Sequence, residues 1–525
     1  MSQTSESPLA TLDSGSIEGV NLPHGVRRFL GIPFAAPPIG DLRWRPPQPV
    51  APWTGTRKTL TYGPSSMQSP PSPTSIYFGG EDNFSEDCLY LNVWAGPAEH
   101  TNQPVIVWLH FGAHQFGSGS NSMYDGAMLA VEGTIVVSIN WRLGRFGFLA
   151  HPELSAESPH GSSGNYGLMD QIAALKWVQQ NIKAFGGDAS NVTLAGVSAG
   201  ANSVNALRAS ALAKGLFSKV IAMSGSGVSP PSDGQGHPSS FSTLAAAEQA
   251  GAELVELIGA SSISEMRKLP ADTIRAAKLP RVKGCWSFDQ FPQAKLSLHV
   301  FDTSYPIVDG YVLKETPLQA FLSCTIIDVP MLASNTGNEA SGLPYIQTLT
   351  EYTTYIATTF PDHAEELLSL YPAENDEQVR FASWDFIQDQ IFVWSTWSSA
   401  RLQAQRLSSP AWYYRFLHAP PTPKDSAEGE YVGAFHAADV LYAFGNLGMR
   451  DWDWKTVDWD LSTKMKQVWL SFVRTGRPDT EEAWPVLGSN LKATTWDKHP
   501  MVVTSGPALN RMAFWDRLYG VELAI

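Results

Sequence analysis

Apolar residues along this chain fall into short unbroken runs and into longer stripes of helical period, and the two kinds alternate. Leu89 to Trp94, Val105 to Leu109 and Thr134 to Ile139 are β-branched or aromatic runs bounded by Gly, Asn and Pro, as expected of buried strands. From Asp170 the spacing changes. Ile172, Leu175, Val178 and Ile182 recur at helical intervals, and Phe185-Gly-Gly follows as a stop. Val192 to Ala195 reads as a further strand and Ala199 to Leu212 as a helix. This alternation over residues 105–225 predicts an α/β fold with a mostly parallel central sheet flanked by helices. Residues 345–410 hold helical patterns, among them Phe386, Gln390, Val393 and Trp394, with hardly a strand signal, and predict a helical layer inserted beside the sheet. Leu461, Met465, Val468 and Phe472 form one apolar stripe and predict a packed helix near the C-terminus.

Elsewhere the pattern weakens. Residues 1–15 read as a loose tail, and Pro33, Pro37, Pro38, Pro46 and Pro47 exclude regular helix from a long extended entry segment. The Pro/Ser/Gly-rich stretch from Ser229 to Ser240 reads as a surface loop or a linker.

Composition narrows the classes. Over 525 residues, 43% are hydrophobic and only 16% charged, too few for a disordered chain. The net charge of −14, without a run of Lys or Arg, argues against a nucleic-acid partner. No apolar stretch reaches the length of a membrane span. The N-terminus lacks the basic and apolar regions of a secretory signal, and Cys88, Cys285 and Cys324 are too few and scattered for a disulfide framework. A cytoplasmic protein is expected. No Cys-x-x-Cys, His-Glu-x-x-His or acidic calcium loop is present, and Gly117-Ser-Gly-Ser lacks the context of a dinucleotide site, so neither metal nor cofactor is expected.

The sharpest chemical signal is Gly196-Val197-Ser198-Ala199-Gly200, between a strand and a helix-forming run. Such a turn holds its serine in a strained conformation with the hydroxyl above the sheet, and flanking glycines relieve the crowding. The Ala199 N–H, at a helix N-terminus, is a candidate donor to an oxyanion. Upstream, His110-Phe-Gly-Ala-His114 ends the strand Val105 to Leu109. A glycine-containing loop there can present further backbone donors, from Gly112 and Ala113, or be a plain strand-to-helix turn.

These residues carry a resemblance. Phe185 to Gly200 resembles the nucleophile signature of the type-B carboxylesterase/lipase family, the cholinesterase-like α/β-hydrolases. Glu86-Asp-Cys-Leu-Tyr-Leu-Asn-Val resembles its second signature, and Gly31-Ile-Pro-Phe-Ala-Ala-Pro-Pro, Asn140 to Leu149 and Phe472-Val-Arg-Thr-Gly-Arg-Pro also fit. The resemblance implies an α/β-hydrolase fold forming a single catalytic domain over residues 16–525, with the helical insertion at about 345–410. It also implies a Ser-His-Glu triad. Asn335-Thr-Gly-Asn-Glu-Ala is similar to the segment holding the family's acid, which gives that role to Glu339, and Phe435-His436 with Asp439 resembles the histidine loop, which makes His436 the general base. Asp439 could compete for the acid role, but three residues after His436 it fits better as a helix cap or a supporting group.

The expected function is hydrolysis of a small or medium apolar carboxylic ester through an acyl-enzyme on Ser198, with Gly112, Ala113 and Ala199 as oxyanion donors and no cofactor. Two rivals stay open: a lactone, depside or amide hydrolase or an acyltransferase using the same triad, and a catalytically silent binding module. Oligomeric state is not readable. Departures from the family pattern bear on pocket shape: Phe111, Ala113 and His114 replace two glycines and an aromatic of the oxyanion loop, and Val197 replaces a glutamate before the nucleophile. Phe111 is expected to add an aromatic wall to the pocket. The usual disulfide partner of Cys88 is missing, in keeping with a cytoplasmic setting.

Overall fold

The computed structural model describes residues 6–229, 241–277, 305–343, 345–429, 432–479, 484–488, 491–497, 502–505, 507–521 and 523. All but the first residue of the Ser229 to Ser240 stretch, and Cys285, lie outside the described residues.

The central sheet has eleven strands: β1 (Val20–Asn21), β2 (Arg27–Pro33), β3 (Tyr90–Ala95), β4 (Gln103–Leu109), β5 (Ile135–Ile139), β6 (Gly187–Val197), β7 (Lys219–Met223), β8 (Met331–Thr336), β9 (Ala411–Phe416), β10 (Lys492–Trp496) and β11 (Val502–Ser505). Their spatial order is β11-β10-β9-β8-β7-β6-β4-β5-β3-β2-β1. Pairings from β5 across to β10 are all parallel, and the antiparallel ones lie at the two edges. Because side chains alternate along a strand, each central strand feeds two cores. On β4, Val105, Val107 and Leu109 enter one apolar cluster while Ile106 and Trp108 enter the other.

Helices cover both faces. Helix α1 (Tyr166–Asn181) buries Ile172, Leu175 and Val178 in the first cluster, and α2 (Ala199–Ala209) adds Val204 and Leu207. A 3₁₀ turn over Ile182–Phe185 prolongs α1 until Gly186, at φ 87°, ends it, so the Phe185-Gly-Gly stop is real. The predicted layer at 345–410 comprises α3 (Leu349–Thr359), α4 (Ala364–Leu370), α5 (Asp376–Gln388), a π turn over Asp389–Val393 and α6 (Trp394–Arg406). Two later helices are α7 (Ala438–Phe444) and α8 (Thr456–Thr475). Leu461, Met465, Val468 and Phe472 of α8 are buried in the second cluster.

The N-terminal reading needs correcting. Residues 9–15 are not tail: Leu9–Leu12 pairs antiparallel with Gly15–Glu18, and Ala10 and Leu12 are buried. Alternate residues of that short strand face the core, which is enough to order it. Among the described residues, no helix is long and apolar enough to cross a membrane.

Candidate active site

Parallel strands place their carboxyl ends on one edge of the sheet, and Ser198 and Glu339 both follow strands that end there. Ser198 follows β6 directly and begins α2, with φ 58° and ψ −120°. Held in such a sparsely populated region, a non-glycine residue costs on the order of 1–3 kcal/mol, and the surrounding backbone supplies the restraint. The Ser198 N–H donates to Met223 O at 2.8 Å, and Ser198 O accepts from Asn202 N at 2.9 Å. Both flanking glycines are required. A Cβ on Gly196 would lie 2.6 Å from the carbonyl carbon of Gly200, and one on Gly200 would lie 2.1 Å from Leu109 O.

Glu339 lies just beyond β8 and His436 just before α7. An isolated bridge between Asn338 and Phe435 ties their two loops together. Glu339 Oε2 meets His436 Nδ1 at 2.6 Å. Its other oxygen, Oε1, accepts from Asn335 Nδ2 at 2.8 Å and Thr336 N at 2.7 Å, and its own N–H donates to Gln388 Oε1 at 3.0 Å. Burial pushes this carboxyl up, but the hydrogen bond and charge of His436, with help from Asn335, outweigh it and hold Glu339 below the ordinary glutamate value. It is a carboxylate. The opposite ring nitrogen, His436 Nε2, is buried and has no partner among the described residues. No hydrogen bond joins it to Ser198.

Asp439 is not the acid of this arrangement and does not cap α7, whose first flanking residue, Ala437, is without a side-chain cap. It is fully buried and accepts from Ser334 Oγ at 3.0 Å and Tyr414 Oη at 3.1 Å. Burial first, and then the Glu339 charge, push its pKa up to about 7.

The candidate oxyanion loop is a tight turn in which Gln115 N and Phe116 N both donate to Gly112 O. Gly112 sits at φ 115°, and a Cβ there would lie 1.9 Å from Phe116 O. Ala113 and His114 also have positive φ, 52° and 59°. Among the described residues the amides of Gly112, Ala113 and Ala199 donate to no protein acceptor. Phe111 is not the pocket wall expected from the sequence. It is almost wholly buried and packs edge-on against Tyr77, Phe116 and Tyr124, bracing the loop from behind. Val197 is buried in the same cluster, and Cys88 is buried and unbridged.

Two contacts were not readable from the sequence. Phe392, in the π turn, lies 4.5 Å from the His436 ring centroid to centroid, and Gln388, just before that turn, holds the Glu339 backbone. Such turns are frequent at functional sites, and no sequence pattern marked this one. Among the described residues, no group of three or more His, Cys, Asp or Glu could hold a metal ion.

A family profile described as the carboxylesterase family matches residues 6–515. The chain belongs to the carboxylesterase family. Its similarity to curated carboxylesterases runs the length of the molecule. It is 35% identical to the fumonisin B1 esterase of Sphingopyxis macrogoltabida over 491 residues, covering 90% of this chain and 83% of that one. It is 34% identical to the para-nitrobenzyl esterase of Bacillus subtilis (strain 168), covering 93% and 94%. A solved structure of a PNB esterase superposes with a TM-score of 0.77 at 30% identity, covering 97% of this chain and 99% of that one. The fold is therefore that of the α/β-hydrolases, and this carboxylesterase is a carboxylic ester hydrolase.

Proposed function

We propose that this carboxylesterase cleaves a small or medium apolar ester through a Ser198-His436-Glu339 triad. The observation that carries the reading is the 2.6 Å contact between Glu339 and His436 Nδ1, which leaves Nε2 buried and, among the described residues, unpartnered at the strand edge where Ser198 sits. Ser198 Oγ attacks the ester carbonyl carbon and gives its proton to His436 Nε2, while Glu339 holds the ring and stabilises the cation. The Gly112, Ala113 and Ala199 amides receive the carbonyl oxygen as it becomes an oxyanion. The alcohol leaves with the proton from Nε2. Water then attacks the acyl-enzyme, returns a proton to Nε2, and the acid departs as Ser198 is restored. The buried, unbridged Cys88 supports action in a reducing compartment, the cytoplasm.

The test is labelling with a fluorophosphonate and mapping of the modified peptide, beside a panel of chromogenic esters graded by acyl length. The label is expected on Ser198, and Ser198→Ala is expected to lose both label and hydrolysis while keeping its melting temperature. A label elsewhere, or Ser198→Ala activity equal to the wild type, overturns the reading.

A further inference from the structure

The oxyanion loop contains a side chain that the triad does not use. His114 follows Ala113, one of the proposed oxyanion donors, and is 1% exposed. Its ring lies edge-on to Phe148 at 5.2 Å and to Tyr305 at 6.0 Å, and within electrostatic reach of His110. Neither Nδ1 nor Nε2 has a hydrogen-bond partner among the described residues. Only the backbone of His114 is engaged, its carbonyl accepting from Gly144 N at 2.6 Å.

A buried imidazole with both nitrogens unmet is costly, and phenylalanine would fill similar space at no such cost. A polar group that the protein itself does not supply would meet that cost. Burial, and then the neighbouring His110, push the His114 pKa down to about 3, so the ring is neutral and offers one donor and one acceptor. A hydroxyl suits whichever of the two faces it, since it can accept from the protonated nitrogen or donate to the bare one. A carboxylate could only accept, and it would be buried beside a neutral ring.

We infer that His114 is a specificity-determining residue that recognises a hydroxyl group carried by the substrate within a few bonds of the ester carbonyl, on the evidence of its two buried nitrogens, unpartnered among the described residues, on the residue that follows the proposed oxyanion donor Ala113. This rests on the Ser198 reading and adds the substrate feature that the apolar-ester description lacks.

The experiment compares matched ester pairs. Ethyl esters of 2- and 3-hydroxyacyl chains are set against their alkyl counterparts, and 2-hydroxyethyl esters against propyl esters, with kcat/KM measured for wild type, His114→Phe and His114→Gln. The wild type is expected to favour the hydroxylated member of at least one pair, and His114→Phe to reduce that preference about 10- to 100-fold. His114→Gln is expected to retain part of the preference. Should His114→Phe fail to accumulate, His114→Leu takes its place. The proposal is overturned if no pair is discriminated by the wild type, or if His114→Phe slows both members alike, the mark of a structural histidine or of one that binds only water. Fluorophosphonate labelling separates the two readings: absence of label on Ser198 sinks the triad, whereas normal labelling with an unchanged preference sinks only the hydroxyl site.

Discussion

Replacing Glu339 by Gln tests the site at its most constrained point. Volume and shape are kept while the charge is removed, and the surroundings decide which way the new amide faces. Two N–H donors, from Asn335 and Thr336, converge on the position of Oε1. The Asn335 amide is itself fixed, since its Oδ1 accepts from Tyr413 Oη at 2.9 Å. The glutamine oxygen must meet those donors, because turning the NH₂ toward them would leave two buried N–H groups unsatisfied at about 1–3 kcal/mol each. The NH₂ then faces His436 Nδ1, which becomes an acceptor, so the ring's proton moves to Nε2. Nε2 can no longer take the serine proton. Enforcing the wrong tautomer in this way costs on the order of 10⁴ in kcat, about 5.4 kcal/mol of transition-state stabilisation. Steady-state hydrolysis of a p-nitrophenyl ester, normalised to folded protein by circular dichroism, measures it. A Glu339→Gln enzyme within tenfold of wild type would show that Glu339 does not orient the base.

Other outcomes follow from the same geometry. Gly112→Ala places a Cβ against Phe116 O at a backbone φ hostile to side chains, and displacing that loop is expected to lower kcat by about 10²–10³ with a smaller change in KM, measured on the same ester. Asp170→Ala strands the Arg142 guanidinium, whose Nε and Nη2 lie 2.8 and 2.7 Å from that carboxylate in the core, and is expected to destabilise the protein by about 3–5 kcal/mol in urea unfolding. For Asp439 the folded pKa of about 7 exceeds the unfolded aspartate value, so the folded state holds the extra proton between the two. Its contribution to stability is thus complete below the unfolded value and lost as pH rises through about 7. Asp439→Asn mimics the protonated acid and still accepts from Ser334 and Tyr414, so its melting temperature relative to wild type should be higher at pH 8 than at pH 5; a constant difference refutes the assignment.

Much of this was legible in the residues. Strands buried on both faces, such as Gln103–Leu109, leave unbroken apolar runs, and α8 leaves a stripe that survives without knowledge of its partners. The strand Gly187–Val197 starts earlier than its apolar run because Asp188, Ser190 and Asn191 belong to it across a register shift, where backbone pairing continues without alternation. Ser198 declared itself through two glycines whose necessity the backbone contacts explain. Glu339 and His436 did not, since no local spacing links positions 97 residues apart, and resemblance alone singled them out. Phe392 escaped both routes. The π turn at Asp389–Val393 breaks the helical period on which a stripe depends, so the residue set against His436 lies off the expected face.

The contact of Gly200 with Leu109 O has a consequence for how such an enzyme can diversify. Because the turn bearing Ser198 abuts the end of the strand that leads into the Gly112 loop, main chain against main chain, no rotamer lies between them to be repacked. Replacements at neighbouring positions, such as those at 113 and 114, can alter what the cleft admits while the two elements keep their spacing. Variation of the cleft is thereby separated from the spacing of the two turns, with glycine at 200 among the letters that cannot drift.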